Sequence, residues 1–358
     1  MSLKSSRLSR YFKPADITLT ICIPHLFDSL SEWNANFSFV PETDVLVPFF
    51  NQFFVSKNVL AGFIPSLYAV VGFDDKQKRF PPHAVYCYYY DFNEFPTDAV
   101  LLATPIHLQT GMTDVTVDGL AVTDLSSIEI ESLQALVNQH FQQDNLRLEI
   151  SASGRWYVLL PFALMPETTY PADNVLGNSL FPFLHHTQQL EWNRLLNELQ
   201  MLLYGATVNQ QRENKGLRSV SSFWLWGNSQ YDAQCTTDKW VNFTRSVRHV
   251  VAGGFDGKAF SHALQAKWHK YLPKTINGDT VVIIDNLLKP SLCNDTEQWQ
   301  YELTRIETDY IRPLMQLHQT NNNIELVINT CDGRQWRKKH WYQSLFVRKK
   351  HSLVDYVM

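Results

Sequence analysis

The residues best suited to chemistry stand in one short stretch. Asn209 and Arg212 open it, Arg218 follows, and Trp226 and Gly227 close an apolar run. A planar guanidinium beside an amide suits bidentate hydrogen bonds to a phosphate or a carboxylate. If the run is a strand of an open α/β sheet, it ends at the carboxyl edge, where such folds bind ligands. From the residues alone a solvated loop arginine beside a core strand is the favoured reading, and the alternative is an anion site on Asn209, Arg212, Arg218 and Trp226.

Basic and aromatic residues also alternate over 334–350. Such interleaving can bind single-stranded nucleic acid through phosphate contacts and base stacking, although a solvated edge is the reading we favour. The whole chain carries 31 Lys+Arg against 35 Asp+Glu, a net charge of −4, with a pI of about 6.3. A general polyanion binder is basic, so we do not expect nucleic acid as the main partner.

Five cysteines are spread along the chain, and no two have the C-x-x-C spacing of a zinc or redox motif. This usage favours a reducing compartment and predicts a cytoplasmic protein. Residues 1–16 are basic, but the apolar block of a signal peptide does not follow them, and we expect a flexible tail there. Since no run approaches the roughly 18 apolar residues of a membrane span, no membrane partner is expected.

The strands that must position these groups are predicted from short apolar runs. The chain has 358 residues, 45% of them hydrophobic, which predicts two globular domains or one large core with an insertion. Residues 17–23, 84–90, 280–285 and 324–329 are apolar and rich in β-branched or aromatic side chains. Continuous runs of this kind are typical of parallel strands covered on both faces.

The most regular helix pattern lies between the last two of these runs. Apolar residues recur at steps of three and four from Trp299 to Leu317. Asn294 or Asp295 can cap the start of the helix, and Pro313 is expected to kink it. Strand, helix and strand in this order predict a βαβ unit with a right-handed crossover, and hence an α/β fold.

The middle of the chain follows another pattern. Alternation over 112–125 predicts a hairpin with its turn at Asp118-Gly119. Residues 126–129 read Ser-Ser-Ile-Glu, the spacing of a capping box at a helix start. Residues 155–160 predict a further strand, and 165–187 resembles a linker. Together these elements predict an α+β module inserted into the larger sheet.

The stretch from Ala206 to Ser229 resembles a segment of the archaeal-type, cofactor-independent phosphoglycerate mutases. That family has His-Pro-x-Asn-x-x-Arg, then a glycine, then a strand ending Trp-x-Trp-Gly. Asn209, Arg212 and Gly216 match this pattern, as does Trp224-Leu225-Trp226-Gly227, whereas Ala206-Thr207 stands at the His-Pro positions. Residues 98–160 resemble that family's inserted cap. Residues 278–332 resemble the closing βαβ unit of the alkaline-phosphatase superfamily.

A closer resemblance is to the bacterial RpfE-type regulatory proteins, often labelled phosphoglycerate mutase. Their recurrent features are matched here by Thr104–Leu108, by Asn197–Leu203 and by Trp224–Gly227. The resemblance implies a regulatory role, but fold similarity alone does not convey chemistry.

The superfamily's enzymes use two divalent metals and a Ser or Thr nucleophile, so the resemblance also implies a ligand set. In this chain the first strand leads to Asp28-Ser29 without the family's Asp-Gly, and a helix cap or turn is the favoured reading of that serine. Lys289 stands where the histidine paired with an aspartate is wanted. Asp332 is followed by glycine, not histidine, which leaves only Asp332 and His340 as candidate metal ligands. Two donors are too few for two ions.

The sequence therefore predicts an α/β fold resembling alkaline phosphatase. We expect a core of mostly parallel sheet flanked by helices, built from 17–97 and 188–345, with an inserted α+β cap and return linker over 98–187. The expected function is that of a phosphoglycerate-mutase-like, non-catalytic regulatory or phospho-ligand-binding protein, whose partner is a small phosphorylated metabolite or another protein. No cofactor is expected.

Two alternatives remain open. An active metal-dependent phosphoglycerate mutase or phosphoesterase with rearranged ligands would need Mn²⁺ or Mg²⁺. A protein-interaction scaffold would instead expose a large apolar patch.

Overall fold

The computed structural model describes residues 17–73, 82–119, 121–166, 169–184, 190–227, 246–254, 257–320, 323–338 and 350–357. The predicted tail 1–16, His340 and most of the basic stretch near the C-terminus lie outside the described residues. The chain divides into two units. Unit 1 comprises residues 1–61, 245–287 and 296–358, and unit 2 comprises residues 62–244 and 288–295.

The strands and helices are numbered along the chain. The strands are β1 Ile17–Cys22, β2 Phe53–Ala61, β3 Ala99–Ile106, β4 Leu108–Thr110, β5 Val115–Val117, β6 Arg147–Ile150, β7 Trp156–Leu160, β8 Ser222–Trp226, β9 His249–Ala252, β10 Lys267–His269, β11 Thr280–Ile283, β12 Ile324–Asn329 and β13 Asp332–Lys338. The helices are α1 Leu30–Phe37, α2 Leu46–Phe50, α3 Phe63–Val70, α4 His83–Phe92, α5 Ser127–His140, α6 Ala172–Val175, α7 Leu190–Tyr204, α8 Thr207–Asn214, α9 Gly257–Ala263, α10 Leu288–Leu292, α11 Thr296–Ile306 and α12 Arg312–Thr320.

Unit 1 is built on a mainly parallel sheet with the order β10-β9-β11-β1-β12-β13-β2. Strands β10, β9, β11, β1 and β12 are parallel to one another, whereas β13 pairs antiparallel with both β12 and β2. Strand β1 lies between β11 and β12, and Leu19 and Ile21 are fully buried in it. The predicted strands at 17–23, 280–285 and 324–329 are therefore confirmed, as is the mixed α/β class.

The long helix predicted over 299–317 packs on the core of unit 1 through Trp299, Leu303 and Leu314, all fully buried. It consists of α11, a π-helical turn at Glu307–Ile311, and α12. Pro313 lacks the N–H that would bond to the carbonyl four residues earlier, and the helix widens in the turn before it. The kink predicted at Pro313 thus corresponds to this π-helical turn.

Unit 2 contains an antiparallel sheet with the order β6-β7-β3-β8. Helices α5 and α7 contribute Leu133 and Leu199 to its core, where they join sheet residues such as Leu101. Helix α5 begins at the predicted capping box: the Ser126 hydroxyl accepts the Glu129 N–H, and the Glu129 carboxylate accepts the Ser126 N–H at 2.7 Å. The predicted strand at 155–160 is confirmed as β7. The interpretation of 98–187 as an inserted cap stays a prediction.

Residues 84–90, predicted as a strand, form most of α4. Six successive residues from His83 to Tyr88 are buried, so the helix is apolar nearly all round and shows no amphipathic period. A short apolar run of this kind fits a buried helix as well as a buried strand. Asn93 ends the helix in the left-handed conformation at φ 55°, an unobtrusive stop signal in the sequence.

The hairpin predicted at 112–125 lies earlier than expected. Strands β4 and β5 pair around a turn in which the Gly111 N–H bonds to the Asp114 carbonyl at 2.8 Å. Gly119 packs instead against the backbone of α10, where a Cβ would lie 2.2 Å from the Leu292 carbonyl oxygen. The glycine is required by this close approach and not by a hairpin turn.

Strand β8, predicted to end at the carboxyl edge of the parallel sheet, belongs to the antiparallel sheet of unit 2. It is an edge strand there and pairs only with β3 among the described strands, from Ser222 against Ile106 to Trp226 against Leu102. The prediction was wrong because a buried apolar run does not disclose which sheet it joins.

Candidate functional site

The carboxyl edge of the parallel sheet in unit 1 brings two loops together. Strands β1 and β12 pair in register, Cys22 opposite Asn329, so the segments that follow them leave the sheet side by side. His25 at φ 58° and Cys331 at φ 62° both adopt the left-handed conformation that turns each chain sharply. The fully buried Asn329 side chain accepts the Cys331 N–H at 2.9 Å and so fixes the second loop.

Asp332, the predicted metal ligand of the second loop, is bound by its own neighbours. The Thr330 hydroxyl donates to one carboxylate oxygen at 2.6 Å, and the Arg334 N–H donates to the same oxygen at 3.1 Å. The Arg334 guanidinium donates to the other oxygen through Nε at 2.9 Å and through Nη2. This ion pair, in which two guanidinium N–H groups donate to one oxygen, occupies the carboxylate that a metal would need.

Arg334 is itself held on all sides. Its Nη1 donates to the Tyr356 carbonyl at 2.7 Å, and its guanidinium carbon lies 4.8 Å from the ring centre of Phe27 and 5.4 Å from that of Trp336. Hydrogen bonding and cation–π contacts thus fix the cation beside Asp332. The sequence placed Arg334 only in a basic stretch, and its position two residues after Asp332 was the signal that could have identified the pair.

Asp28, on the loop after β1, is another carboxylate of this edge. The residue is exposed to solvent, yet the protein around its carboxyl group and the nearby Asp332 raise its pKa from 3.8 to about 6. The His25 N–H and the Arg334 charge act in the opposite direction but are weaker. Ser29 occupies the N-cap position of α1, in line with the favoured reading of that residue.

A divalent-metal pair does not fit this edge as the structure describes it. Asp332 is paired with Arg334, and the positive charge of Arg334 also acts on Asp28. Among the described residues, no group of three or more His, Cys, Asp and Glu side chains is arranged to hold a metal ion.

Cys22 and Cys331 lie side by side beneath the two carboxylates. Both are buried, and burial together with a hydrogen bond to Cys22 raises the pKa of the Cys331 thiol. A thiol that keeps its proton is a poor nucleophile. The cysteine pair therefore belongs to the packing under the edge.

The predicted anion site at 209–227 lies in unit 2, where Arg212 is fully buried and paired. Its guanidinium donates to the Arg218 carbonyl at 2.7 Å, to the Asp124 carboxylate at 2.7 Å and to the Glu129 carboxylate at 3.0 Å. A buried arginine with two carboxylates and a carbonyl ties α8 to the start of α5. A ligand anion would have to compete with these partners.

The other predicted residues of that site also have partners within unit 2. The Asn209 amide donates to the carbonyls of Leu203 and Val220 and accepts the Val220 N–H, all at 2.8 Å. Arg218 pairs with the Asp118 carboxylate at 2.9 Å and is about one-third exposed.

Trp226 donates its indole N–H to the Thr104 hydroxyl at 2.8 Å, and its ring stacks on His83. The structure therefore brings the four predicted residues into one unit and gives each a packing role, while ligand binding by them stays a prediction.

A cavity of about 650 Å³ lies elsewhere in unit 1, and none of the predicted site residues lines it. The segment Tyr271–Lys274 after β10 forms one side, and Asn286 after β11 adds to the lining. The other side is the π-helical turn, with Asp309 and Tyr310, and the adjoining turns of α11 and α12. The expected kink at Pro313 was the only sequence signal for this place, since π-turns often mark functional sites.

Comparisons with known proteins place the chain at the margin of detectable similarity. No family model matches it, and no curated protein sequence matches it. A cofactor-independent phosphoglycerate mutase from Thermoplasma acidophilum DSM 1728 is 12% identical, with a TM-score of 0.39 over 94% of this chain and 91% of that one. The PH0037 protein from Pyrococcus horikoshii is 11% identical, with a TM-score of 0.47 over 90% and 87%. Likenesses this weak carry no argument about function.

No helix within the described ranges is long and apolar enough to span a membrane.

Proposed function

We propose that this chain is a phosphoglycerate-mutase-like protein without a working two-metal centre, which binds a small phosphorylated metabolite and does not turn it over. In this proposal it has a regulatory role of the kind implied by its resemblance to RpfE-type proteins. The sequence resemblance at 206–229 supports the relationship. The mixed α/β sheet of unit 1 is compatible with it.

The observation that carries the proposal is the ion pair between Asp332 and Arg334. Phosphotransfer enzymes of this kind would place a metal at the carboxyl edge. Here the Arg334 guanidinium is paired instead with the Asp332 carboxylate, which follows β12. An arginine cannot lower the pKa of a nucleophile by coordination as a divalent ion does. Binding of a phosphorylated ligand needs only fixed donors and cations, which the fold can retain after metal-dependent catalysis is lost.

A coupled assay with 3-phosphoglycerate and Mn²⁺ tests the catalytic half of this proposal. The wild-type chain is expected to form no 2-phosphoglycerate above background, with or without metal, while a known cofactor-independent mutase serves as the positive control. Metal-stimulated conversion that disappears in the Asp332→Ala variant would overturn the proposal in favour of an active enzyme with rearranged ligands.

A thermal-shift series with 3-phosphoglycerate, other sugar phosphates and nucleotides tests the binding half. Stabilisation by at least one phosphorylated compound, and none by its unphosphorylated counterpart, is expected. Failure of every phosphorylated compound to stabilise the chain would contradict the binding role and favour the interaction-scaffold alternative.

A further inference from the structure

The cavity of unit 1 has the size and the construction of a small-ligand site. Its volume of about 650 Å³ lies inside the range of roughly 300–1,000 Å³ typical of such pockets. Leu272, Pro273, Ile306 and Pro313 give it apolar walls, and charged and amide side chains line the rest. Apolar walls beside convergent polar groups suit a ligand with a flat ring and a polar tail.

An exposed aromatic ring, that of Tyr271, is part of the lining of the cavity. Tyr271 is 72% exposed, far more than a tyrosine that packs on a core, and the Lys270 ammonium lies 5.4 Å from its ring centre. An exposed tyrosine ring can stack on a heteroaromatic base, and a cation on the ring does not prevent stacking on the other face.

The cations of the cavity differ in their availability. Arg305 is paired with Glu302, its Nη1 lying 3.2 and 3.3 Å from the two carboxylate oxygens. Lys274 forms no hydrogen bond or ion pair with any other described residue and is exposed. Lys274 is therefore the cation best able to meet a phosphate.

Acceptors and a donor lie on the π-helical side. Asp309 presents a carboxylate, and the neighbouring Tyr310 keeps its hydroxyl proton because burial and the carboxylates of Asp285 and Asp309 raise its pKa. A carboxylate in such a pocket accepts hydrogen bonds from sugar hydroxyls, the role that an acidic residue has for ribose in dinucleotide sites. The Asn286 amide is held in place by a 2.8 Å hydrogen bond to Glu302.

These features together exclude a bare phosphoglycerate as the best occupant. A three-carbon acid leaves the apolar walls and Tyr271 without contact, and its carboxylate would be repelled by Asp309. A ligand that joins a flat base, a diol and a phosphate meets all three groups.

We infer that the cavity between Tyr271–Lys274 and the π-helical turn binds a ribonucleoside monophosphate, with its base on Tyr271, its ribose hydroxyls on Asp309 and its phosphate on Lys274. This inference rests on the phospho-ligand-binding half of the proposed function and names the site and the ligand class. It needs no metal and no bond-making step.

Calorimetric titration of the full chain with AMP, GMP and UMP tests the inference, with adenosine, ribose 5-phosphate, 2′-deoxy-AMP and inorganic phosphate as probes of the parts. At least one ribonucleotide is expected to bind about tenfold more tightly than its nucleoside and than ribose 5-phosphate. The 2′-deoxy compound should lose affinity about fivefold if Asp309 holds the sugar.

The variants Tyr271→Ala and Lys274→Ala should each weaken binding of the preferred nucleotide about tenfold. Tyr204→Ala and Lys215→Ala, exposed residues of unit 2, are the matched controls and should bind as the wild type does. All four positions are exposed, so the variants are expected to fold. Binding by the Tyr271→Ala and Lys274→Ala variants that is as tight as binding by the wild type, or no binding of any ribonucleotide, overturns the inference.

The two proposals fail in different ways. If 3-phosphoglycerate binds and no nucleotide does, the nucleotide site is wrong and the proposed function stands. If a nucleotide binds and the chain also converts 3-phosphoglycerate, the proposed function is wrong and the nucleotide site stands.

Discussion

Glu129 has two partners at once: its carboxylate closes the capping box on the Ser126 N–H, and it also accepts a hydrogen bond from the buried guanidinium of Arg212. One side chain thus satisfies an unpaired helix N–H and part of a buried charge. The start of α5 and the end of α8 depend on this link.

Replacing the buried cation should unfold unit 2 more easily. Arg212→Met would leave the Asp124 and Glu129 carboxylates and the Arg218 carbonyl without their donor, and we expect a loss of about 3 kcal/mol in the free energy of unfolding. Urea denaturation followed by circular dichroism measures it. Arg194→Met, which removes an arginine that is 74% exposed, is the control and should cost less than about 0.5 kcal/mol. Equal stabilities of the two variants would contradict the structural role of Arg212.

Glu129 should also give unit 2 a measurable acid dependence. Hydrogen bonds from Ser126 and the Arg212 charge lower its pKa from 4.5 to about 2. The folded state therefore binds this proton less readily than the unfolded state, so the stabilisation is complete above about pH 4.5 and is lost as the pH falls towards 2. We expect this loss to be about 2 kcal/mol in the wild type, and a Glu129→Gln variant to show a flatter profile over this range. Parallel profiles of the two proteins would contradict the assignment.

Asp28 should make the folded chain less stable as the pH rises, which is the opposite of the effect expected for Glu129. Its pKa of about 6 in the folded chain lies above the usual 3.8, so the folded state binds the proton more tightly than the unfolded state. Stability is then lost as the pH rises from 4 through 6. Asp28→Asn is expected to raise the free energy of unfolding at pH 8 by about 1 kcal/mol, allowing for solvent screening of an exposed group, and to change it little at pH 4. Asp144→Asn, at an exposed position of unit 2, is the control. An Asp28→Asn variant that is less stable than the wild type at pH 8 would show that ionised Asp28 does not destabilise the folded chain.

Arg334 should hold down the pKa of Asp28. Because the Arg334 charge favours the ionised form, Arg334→Met should raise the pKa of Asp28 further. A carbon-13 NMR titration of the aspartate carboxyl groups measures the change. Arg337→Met removes another cation of β13, one that pairs with Glu325, and it should leave Asp28 unaffected. If both variants shift Asp28 equally, the effect comes from net charge and not from the ion pair at the edge.

The parts of the fold that the sequence predicted are those whose signals are local. Continuous β-branched runs marked β11 and β12, the spacing from Trp299 to Leu317 marked the long helix, and Ser126 and Glu129 marked a cap. In each, the residues that reveal the element also form it.

The predictions were wrong where contacts between residues far apart in the chain determine the local structure. The run at 84–90 is buried as a helix, Gly119 is needed for its approach to Leu292, and β8 joins β3 instead of the parallel sheet. Burial partners of this kind are chosen by residues far along the chain, which a single sequence does not pair.

The candidate sites show the same difference between local signals, which the sequence reveals, and long-range contacts, which it does not. The sequence recognised Asp332 as a lone carboxylate, but only the structure reveals that Arg334 binds it. Arg212 looked like a free ligand residue because its partners, Asp124 and Glu129, stand more than eighty residues earlier. The cavity beside Tyr310 left no motif, since its walls come from three separated segments.

Titration with Mn²⁺, followed by the electron paramagnetic resonance signal of the free ion, tests most directly whether the carboxyl edge has lost its metal pair. For the wild type, and equally for Asp28→Asn and Asp332→Asn, the account predicts that the free-ion signal rises in proportion to added metal from the first addition. Saturable uptake of a pair of ions per chain that is lost in both variants would contradict it.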